Sequence, residues 1–441
     1  MPDAAHRVRL EGVDFAAAFP TLRLFDSFRM ALQPSKLTLG LVLLLLVYFG
    51  GVALDLMWGT QTREGFGGVE VEYRVFGETL DRELAYFNQL VNSAVRLDFG
   101  VGALASGTPG ITPGSGTINS GGGLIGALRG MVVETPGWLW STHPFFFVLL
   151  VGYAAALAAV IGGAIARLAA TQACADTTTG LGEAWRFTWP RTGWFLVSPL
   201  IPLGVAGAFW LVLAAVGGAL FNVAGLNVAG GVLFGPMIFA GLVAAVLLIL
   251  VALGGPMLPS ALAVEGTDAF DVVSRVSTFL LYRPVRMLAL IAAAVTYGAL
   301  TYLVVGLVVF LALWFTRAAA GAWGSGLEAV MVEPRLGEPL ATPGSDLGST
   351  EQATSWLIRV WSGLWFGLSI AYVVSYFFTA QTWMYLLLRR STEGTDFADY
   401  APEPEDRVTV GASMEKVEPS GDGAGEEEEA GMEAEDGDEG K

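Results

Sequence analysis

The chain has 441 residues, of which 54% are hydrophobic and 15% are charged, and its mean hydropathy is +0.57. A typical soluble domain carries about 25% charged residues, so this composition indicates an integral membrane protein. The single cysteine, Cys174, excludes a disulfide-rich secreted scaffold, and the two histidines, His6 and His143, exclude a metal site built from histidines. Most of the net charge of −17 belongs to residues 391–441, which hold 18 acidic and three basic residues, a net charge of −15.

Six stretches are long and apolar enough to cross a hydrocarbon layer of roughly 30 Å, which takes about 20 residues. They are residues 37–58, 144–169, 194–220, 228–253, 287–315 and 356–388. We therefore predict an all-α integral membrane protein with six transmembrane helices. The predicted domains are an N-terminal segment 1–36, the first span 37–58, a loop 59–143, a five-helix region 144–390 and an acidic disordered tail 391–441.

Basic residues near the span ends predict the orientation, because they are enriched on the cytoplasmic side of membranes. On one side they are Arg7, Arg9, Arg23, Arg29, Lys36, Arg167, Arg186, Arg191, Arg275, Arg283, Arg286, Arg389 and Arg390. The opposite side has Arg317 and Arg335 in its last loop, and Arg359, near the outer end of span six, is the main exception. Both termini are therefore predicted to be cytoplasmic.

A pattern recurs three times on the predicted cytoplasmic side. An aromatic-rich amphipathic stretch with an embedded arginine runs to a proline and a basic residue, and a span follows. The copies read LFDSFRMALQPSK from 24 to 36, EAWRFTWPR from 183 to 191, and AFDVVSRVSTFLLYRPVR from 269 to 286. Each copy predicts an interfacial helix that proline ends before the next span, which favours three units of one such helix and a transmembrane hairpin. The alternative is that cytoplasmic loops of any membrane protein collect these residue types.

The third copy has the most detailed pattern. Thr267 is predicted to be the N-cap of its helix, and Asp271 and Arg275 are spaced i, i+4 for a salt bridge. Its apolar face is predicted to be Phe270, Val273, Val276, Phe279 and Leu280, lying in the headgroup layer or against the bundle.

Two runs carry a resemblance to a known group of proteins. The run PSALAVEGTDAFDVVSRVSTFLLYRPVR resembles a segment of uncharacterised six-span bacterial inner-membrane proteins. These are loosely related to the membrane domain found beside some glycerophosphodiester phosphodiesterases. The run YLLLRRSTEGTD, residues 385–396, resembles the close of planctomycete-type members. The resemblance implies a location in the bacterial inner membrane. It brings no catalytic residues, because the phosphodiesterase chemistry lies in a separate soluble domain.

The loop 59–143 is predicted to form a small cap, too small for an independent enzyme. Alternating apolar and charged residues predict a strand at 69–75, for which 130–134 is the one weak candidate partner. An amphipathic helix is predicted at 79–97, and a second short helix at 124–133. Flexible segments rich in Gly, Ser and Pro are predicted at 100–123 and 333–351.

Motifs that carry catalysis or cofactor binding are weak or missing in the sequence. Gly121, Gly123 and Gly126 match G-x-G-x-x-G, but no β-α-β pattern surrounds them, so dinucleotide binding is not favoured. His143 beside Trp138 is predicted to be an interfacial anchor rather than a base. No catalytic, cofactor-binding or metal-binding residue is assigned.

The predicted spans hold few ionisable residues, which counts against a pump or a proton-coupled transporter. One polar face of span six consists of Ser369, Tyr372, Ser375, Tyr376, Thr379 and Thr382. Gly231 and Gly235 form a small-xxx-small pair in span four. We predict that these residues pack helices together, and the alternative is a polar seam that lines a groove for a lipid or a solute.

The sequence therefore predicts a non-enzymatic integral protein of the bacterial inner membrane that acts in membrane organisation or partner binding. The predicted partners are membrane lipids and, through the acidic tail, a basic cytoplasmic protein; neither nucleic acid nor a cofactor is predicted. The alternative is a transporter or flippase for an uncharged or lipid-like substrate. A membrane enzyme is least favoured, because no acid/base or nucleophile constellation is present in the sequence.

Overall fold

The computed structural model describes residues 20–64, 70–100, 123–223, 225–322, 324, 326–334, 348–394 and 397. The predicted architecture is confirmed over these described residues: they are all-α apart from two short strands, and six of their helical segments are long and apolar enough to cross a membrane. Almost all of the predicted linker 100–123, most of the loop 333–351 and the tail beyond 397 lie outside the described residues.

The six spans contain the predicted stretches, and each extends beyond them. Spans one, five and six are single helices, Pro34–Trp58, Pro284–Gly321 and Ser349–Glu393. Span two consists of Pro144–Leu157 and Gly163–Ala175, joined by a π-helical turn at Ala158–Gly162. Span three is Thr192–Phe221, and span four is Asn227–Gly254, continued through the 3-10 turn Gly255–Met257 by Leu258–Glu265.

The two ends of the spans define two faces of the molecule. The near face is the side on which span one begins at Pro34 and span six ends at Glu393, and the far face is the opposite side. Each span that runs toward the near face ends before a residue with a positive φ: Asp176 at 51°, Gly266 at 69° and Gly394 at 75°. This left-handed conformation ends a helix and redirects the chain.

The three predicted interfacial helices are present on the near face. They are Asp26–Ala31, which follows a 3-10 turn at Pro20–Phe25, then Leu181–Thr188 and Ala269–Tyr282. Pro34 and Pro284 begin spans one and five, and Pro190 lies in the 3-10 turn Trp189–Arg191 before span three. The first of these helices packs against the near-face end of span six, the second against that of span two and the third against that of span four. The N-terminal helix therefore contacts the last span as the other two contact spans two and four.

Two predicted details of the third near-face helix are wrong. Its N-cap is Asp268 rather than Thr267, because Gly266 ends the preceding helix and the Asp268 side chain accepts the backbone N–H of Asp271 at 2.8 Å. Val272, which the predicted face left out, is fully buried, whereas Phe270 is 72% exposed, which excludes packing of Phe270 against the bundle but not its predicted alternative place in the headgroup layer. The buried face follows Ala269, Val272, Val276, Phe279 and Leu280.

The described part of the loop 59–143 folds over the far face. The strand Glu70–Tyr73 is confirmed, but it pairs with Gln61–Glu64 in an antiparallel hairpin rather than with 130–134. A local hairpin needs little loop-closure entropy, which explains this choice of partner. The amphipathic helix, named the far-face helix, is Val75–Val95 and packs on spans one and five. The second helical stretch is Gly123–Arg129, a π-helical turn Gly130–Glu134 and Thr135–Thr142.

Span six is the centre of the packing. It packs against spans one and five, span one packs against span two, and spans three and four form a hairpin that contacts span two. The short helix Gly326–Val330 packs against spans five and six at the far face. Close approach of spans one and six depends on Gly40, because a side chain there would lie 2.7 Å from the Ala371 carbonyl oxygen.

Candidate functional site

A cluster of charged side chains around a buried carboxylate lies where the near-face ends of spans four and six meet the third near-face helix. The Glu265 side chain is only 7% exposed, and it accepts hydrogen bonds from the Tyr385 hydroxyl and the Arg389 guanidinium. Arg275 completes the cluster, with its Nη1 3.5 Å from the second carboxylate oxygen. These four residues are named the near-face cluster.

Exposed carboxylates extend the near-face cluster. Arg275 binds Asp271 one turn away at 3.1 Å, which confirms the predicted salt bridge, and Arg389 binds Glu393 at 2.8 Å. The hydrogen bond to Asp271, with Glu265 nearby, raises the pKa of Arg275 above its usual value. Both Glu265 oxygens are occupied by donors from two other elements, so the cluster ties these elements together.

Arg167 makes a second tie at the same level. It is buried in span two, and its Nη1 donates to the carbonyl oxygen of Ala263 in span four at 2.9 Å. Its guanidinium lies 3.8 Å from the ring centre of Phe187, which Arg191 also approaches at 4.3 Å. In sequence these arginines were signals of orientation, and nothing in their spacing indicated that spans two, four and six converge on them.

The polar face of span six is buried, as predicted for helix packing. The hydroxyls of Tyr372 and Tyr376 each donate at 2.7 Å to span five, and Ser375 donates to the first near-face helix at 2.8 Å. The Ser369, Thr379 and Thr382 hydroxyls donate to backbone carbonyls within span six. All six side chains are therefore enclosed by packed helices, which favours the packing interpretation over a lined groove.

Spans three and four form the surface that packs least against the rest of the chain. In the most apolar stretch of each of these two spans, 6% of the residues are buried within the structure, whereas the share is 17–28% in the other four spans. They pack on each other and otherwise on elements at the near face and on span two around its π-helical turn. Spans four and five make at most marginal contact. The outward sides of spans three and four are named the hairpin surface.

The predicted packing role of Gly231 and Gly235 is wrong within the described chain. Neither glycine has a neighbouring heavy atom within 4 Å of the position of a Cβ, and both are exposed on the hairpin surface. Their neighbour Gly230 instead faces Phe221 of span three. The register of the two helices turns Gly230 inward, so the pair that the sequence pattern suggested points out of the hairpin.

A carboxylate at the far end of span one caps the N-terminus of the far-face helix. Asp55 is buried, and its two oxygens accept the backbone N–H groups of Phe76 and Gly77 at 2.7 and 3.2 Å. His143 lies nearby in the same loop region, with its Nε2 3.1 Å from the Tyr73 hydroxyl. Burial lowers the pKa of His143, which favours the neutral ring. The contact joins the strand hairpin to the start of span two.

Glu83 is the carboxylate of the far-face helix whose pKa departs most from its usual value. Burial raises its pKa to about 7. The pKa of Asp81 shifts in the same direction, because of burial and the neighbouring charge of Glu78. Burial thus raises the pKa of two carboxyl groups of the far-face helix.

The near face also has a small cavity of about 210 Å³, lined by Gln33, Pro34, Ser35, Leu168, Thr178 and Thr179. This volume is below the roughly 300–1,000 Å³ of usual small-molecule sites. Lys36 is fully buried close to it in sequence, and its Nζ donates to Gln172 Oε1 at 2.8 Å and to the Met30 carbonyl. Among the described residues, no group of three or more His, Cys, Asp or Glu side chains is placed to hold a metal ion.

Comparison of the chain with protein-family models, with curated proteins and with solved structures finds no match.

Proposed function

We propose that the protein is a non-enzymatic membrane-organising protein whose hairpin surface binds a transmembrane helix of a partner protein. The observation that carries this proposal is the difference in burial between spans three and four and the other four spans. Two 28- to 30-residue helices extend from the bundle with many apolar side chains and several glycines uncovered.

Small residues support this role, because they let helix backbones approach closely within a membrane. Gly231 and Gly235 lie one helical turn apart in span four, and Gly204 and Gly207 in span three have equally open space around them. Large apolar side chains, such as that of Val232, flank the glycines. A partner helix would gain dispersion contacts there without burying any charge.

Photo-crosslinking tests this proposal. A photo-crosslinking amino acid is placed at Val232 and, as a control, at Val148 of span two, which is also exposed. We expect a discrete protein adduct in native membranes from Val232 and none from Val148. The adduct should disappear with Gly231→Leu and Gly235→Leu, but persist with Gly363→Leu, a glycine of span six with similar open space. Identical products from both crosslinking positions would contradict the proposal.

The proposal includes the orientation and the location. The arginine-rich segments of the near face support a cytoplasmic location for that face. The resemblance to bacterial inner-membrane proteins supports the choice of membrane. The acidic tail would then present its charge to a basic cytoplasmic protein. Thr178→Cys on the near face and Ser141→Cys on the far face, in a Cys174→Ser background, test the orientation. An impermeant maleimide added outside should label only the far-face cysteine. Labelling of Thr178→Cys alone would show that the orientation is the opposite one.

A transporter or flippase for a lipid-like substrate is the second candidate. The marginal contact between spans four and five favours it, because an acyl chain could enter between them from the bilayer. The buried polar face of span six disfavours it, because its hydroxyls are used in helix contacts. Reconstituted liposomes with a fluorescent phospholipid distinguish the candidates: protein-dependent exchange between leaflets supports transport, and its absence supports partner binding.

A further inference from the structure

Two arginines lie on the far face, against the predicted charge bias: Arg317 in span five and Arg359 in span six. Each shares one continuous helix with a near-face arginine, Arg286 in span five and Arg389 in span six. At about 1.5 Å per residue, each pair is separated by roughly 45 Å along the helix axis. A slightly tilted helix of this length spans the roughly 40–45 Å of a bilayer with its headgroups.

Tryptophans mark the same level of the molecule. Trp314, Trp356 and Trp361 are all exposed within a few residues of the two arginines. Tryptophan is enriched where hydrocarbon meets the headgroup layer. Arg317 and Arg359 are therefore at the height of the far-leaflet headgroups.

The register of spans five and six brings the two arginines to nearly the same height. The hydrogen bond from Tyr372 to Thr301 fixes this antiparallel register. At about 1.5 Å per residue, Arg317 lies roughly 24 Å from Thr301 toward the far face, and Arg359 lies roughly 20 Å from Tyr372 in the same direction. The two heights differ by less than one helical turn of about 5.4 Å.

Both arginines are on the packed sides of their helices. Arg359 lies between Ser355 and Ser362, which are both buried, at the i, i+4 and i, i+3 spacings that keep side chains on one helix face. Arg317 follows the buried Ala299 by a whole number of helical turns, so these two residues also share a face. Each arginine therefore lies on a side of its helix that also carries buried residues of the bundle.

Polar atoms at this place have no partner. The Nε atoms of Arg317 and Arg359 and the Oγ of Ser355 are buried and make no hydrogen bond, although Ser355 is only 2% exposed. The ion pairs of the described residues include neither arginine. Buried donors are nearly always paired in folded proteins, and the described residues supply no acceptor here, so one with negative charge would suit both arginines.

We propose that Arg317, Arg359 and Ser355 bind the phosphate of an anionic phospholipid of the far leaflet. Planar guanidinium groups donate paired hydrogen bonds to phosphate oxygens, and a serine hydroxyl adds a further donor. The half-buried apolar side chains of Leu313 and Phe310 lie one and two turns from Arg317 on the same side of span five toward the membrane centre, where the acyl chains would lie. This site is on other spans than the hairpin surface and does not depend on the proposed partner.

The test uses the purified full-length chain in detergent with phosphatidylglycerol, phosphatidylcholine or inorganic phosphate, and native mass spectrometry measures binding. We expect phosphatidylglycerol to bind best. Arg317→Gln and Arg359→Gln should each weaken it by about tenfold, in line with the strength of a charged hydrogen bond. The matched control is Arg96→Gln, which removes an exposed arginine from the end of the far-face helix and should change binding by less than about twofold.

A second measurement separates binding from folding. In lipid-free detergent neither Gln variant should lower the unfolding temperature, because neither guanidinium loses a hydrogen bond. Phosphatidylglycerol should raise the unfolding temperature of the original chain more than that of either variant. Equal binding of both lipids, tighter binding of inorganic phosphate, or a large loss of stability without lipid would each overturn the proposal.

Discussion

Replacing Glu265 with Gln is expected to destabilise the protein strongly. The substitution keeps the shape of the side chain but removes the negative charge that two arginines share. Arg389, whose side chain is only 11% exposed, would lose its buried counter-charge, while Glu393 would still pair with it at a more exposed position. Breaking a buried ion pair by removing one partner costs about 3–5 kcal/mol, and we expect the lower part of this range because Glu393 remains.

The assay is reversible unfolding by sodium dodecyl sulfate in mixed micelles, followed by tryptophan fluorescence. The matched control is Asp271→Asn, which removes a pair at 38% side-chain exposure and should cost no more than about 0.5 kcal/mol. Combining Glu265→Met with Arg389→Met should recover much of the lost stability, since an apolar pair avoids the cost of burying charge. Equal losses for Glu265→Gln and Asp271→Asn would refute the reasoning.

Three further predictions concern other elements. Burial raises the pKa of the Glu83 carboxyl from 4.5 to about 7, so the folded state binds the carboxyl proton more tightly than the unfolded state, and the free energy of unfolding should fall as pH rises from 4.5 to 7. Thermal unfolding at pH 5 and pH 8 measures this loss of stability, and Glu83→Gln should abolish it. Asp55→Asn should cost about 1–2 kcal/mol and speed amide hydrogen exchange at the start of Val75–Val95, because two N–H groups lose a charged acceptor. Val272→Asp should cost about 3 kcal/mol in detergent and Phe270→Asp about 0.5 kcal/mol or less, because only Val272 is buried; equal effects in chemical unfolding would mean that the near-face helix does not pack as described.

Local patterns in the sequence were sufficient to predict the elements of this fold. Apolar stretches long enough to cross the bilayer have no stable alternative to a membrane helix, because hydrocarbon offers no partner for backbone polar groups. The proline that follows each aromatic-rich stretch likewise marks where a near-face helix ends and the next segment begins, as Pro34 and Pro284 show. The polar face of span six was predictable for the same reason, since its residues recur at helical spacing.

The sites depend on contacts between residues that are distant in the chain. Glu265 and Arg389 are 124 residues apart, and no periodicity relates them. The sequence also did not predict which residues of a span face its neighbour. Gly231 and Gly235 fit a packing motif, yet the register of the hairpin turns Gly230 inward instead.

The sequence by itself therefore determined the class of protein, the number of spans and the near-face helices, because membrane insertion and helix formation depend on local composition. Only the tertiary structure decided which charges are buried together and which helix surfaces remain uncovered. Arg317 and Arg359 show the distinction, because in sequence they are exceptions to a charge rule, and only the antiparallel register of spans five and six brings them to nearly the same height. That register follows from side-chain packing along two whole helices, which no short motif encodes.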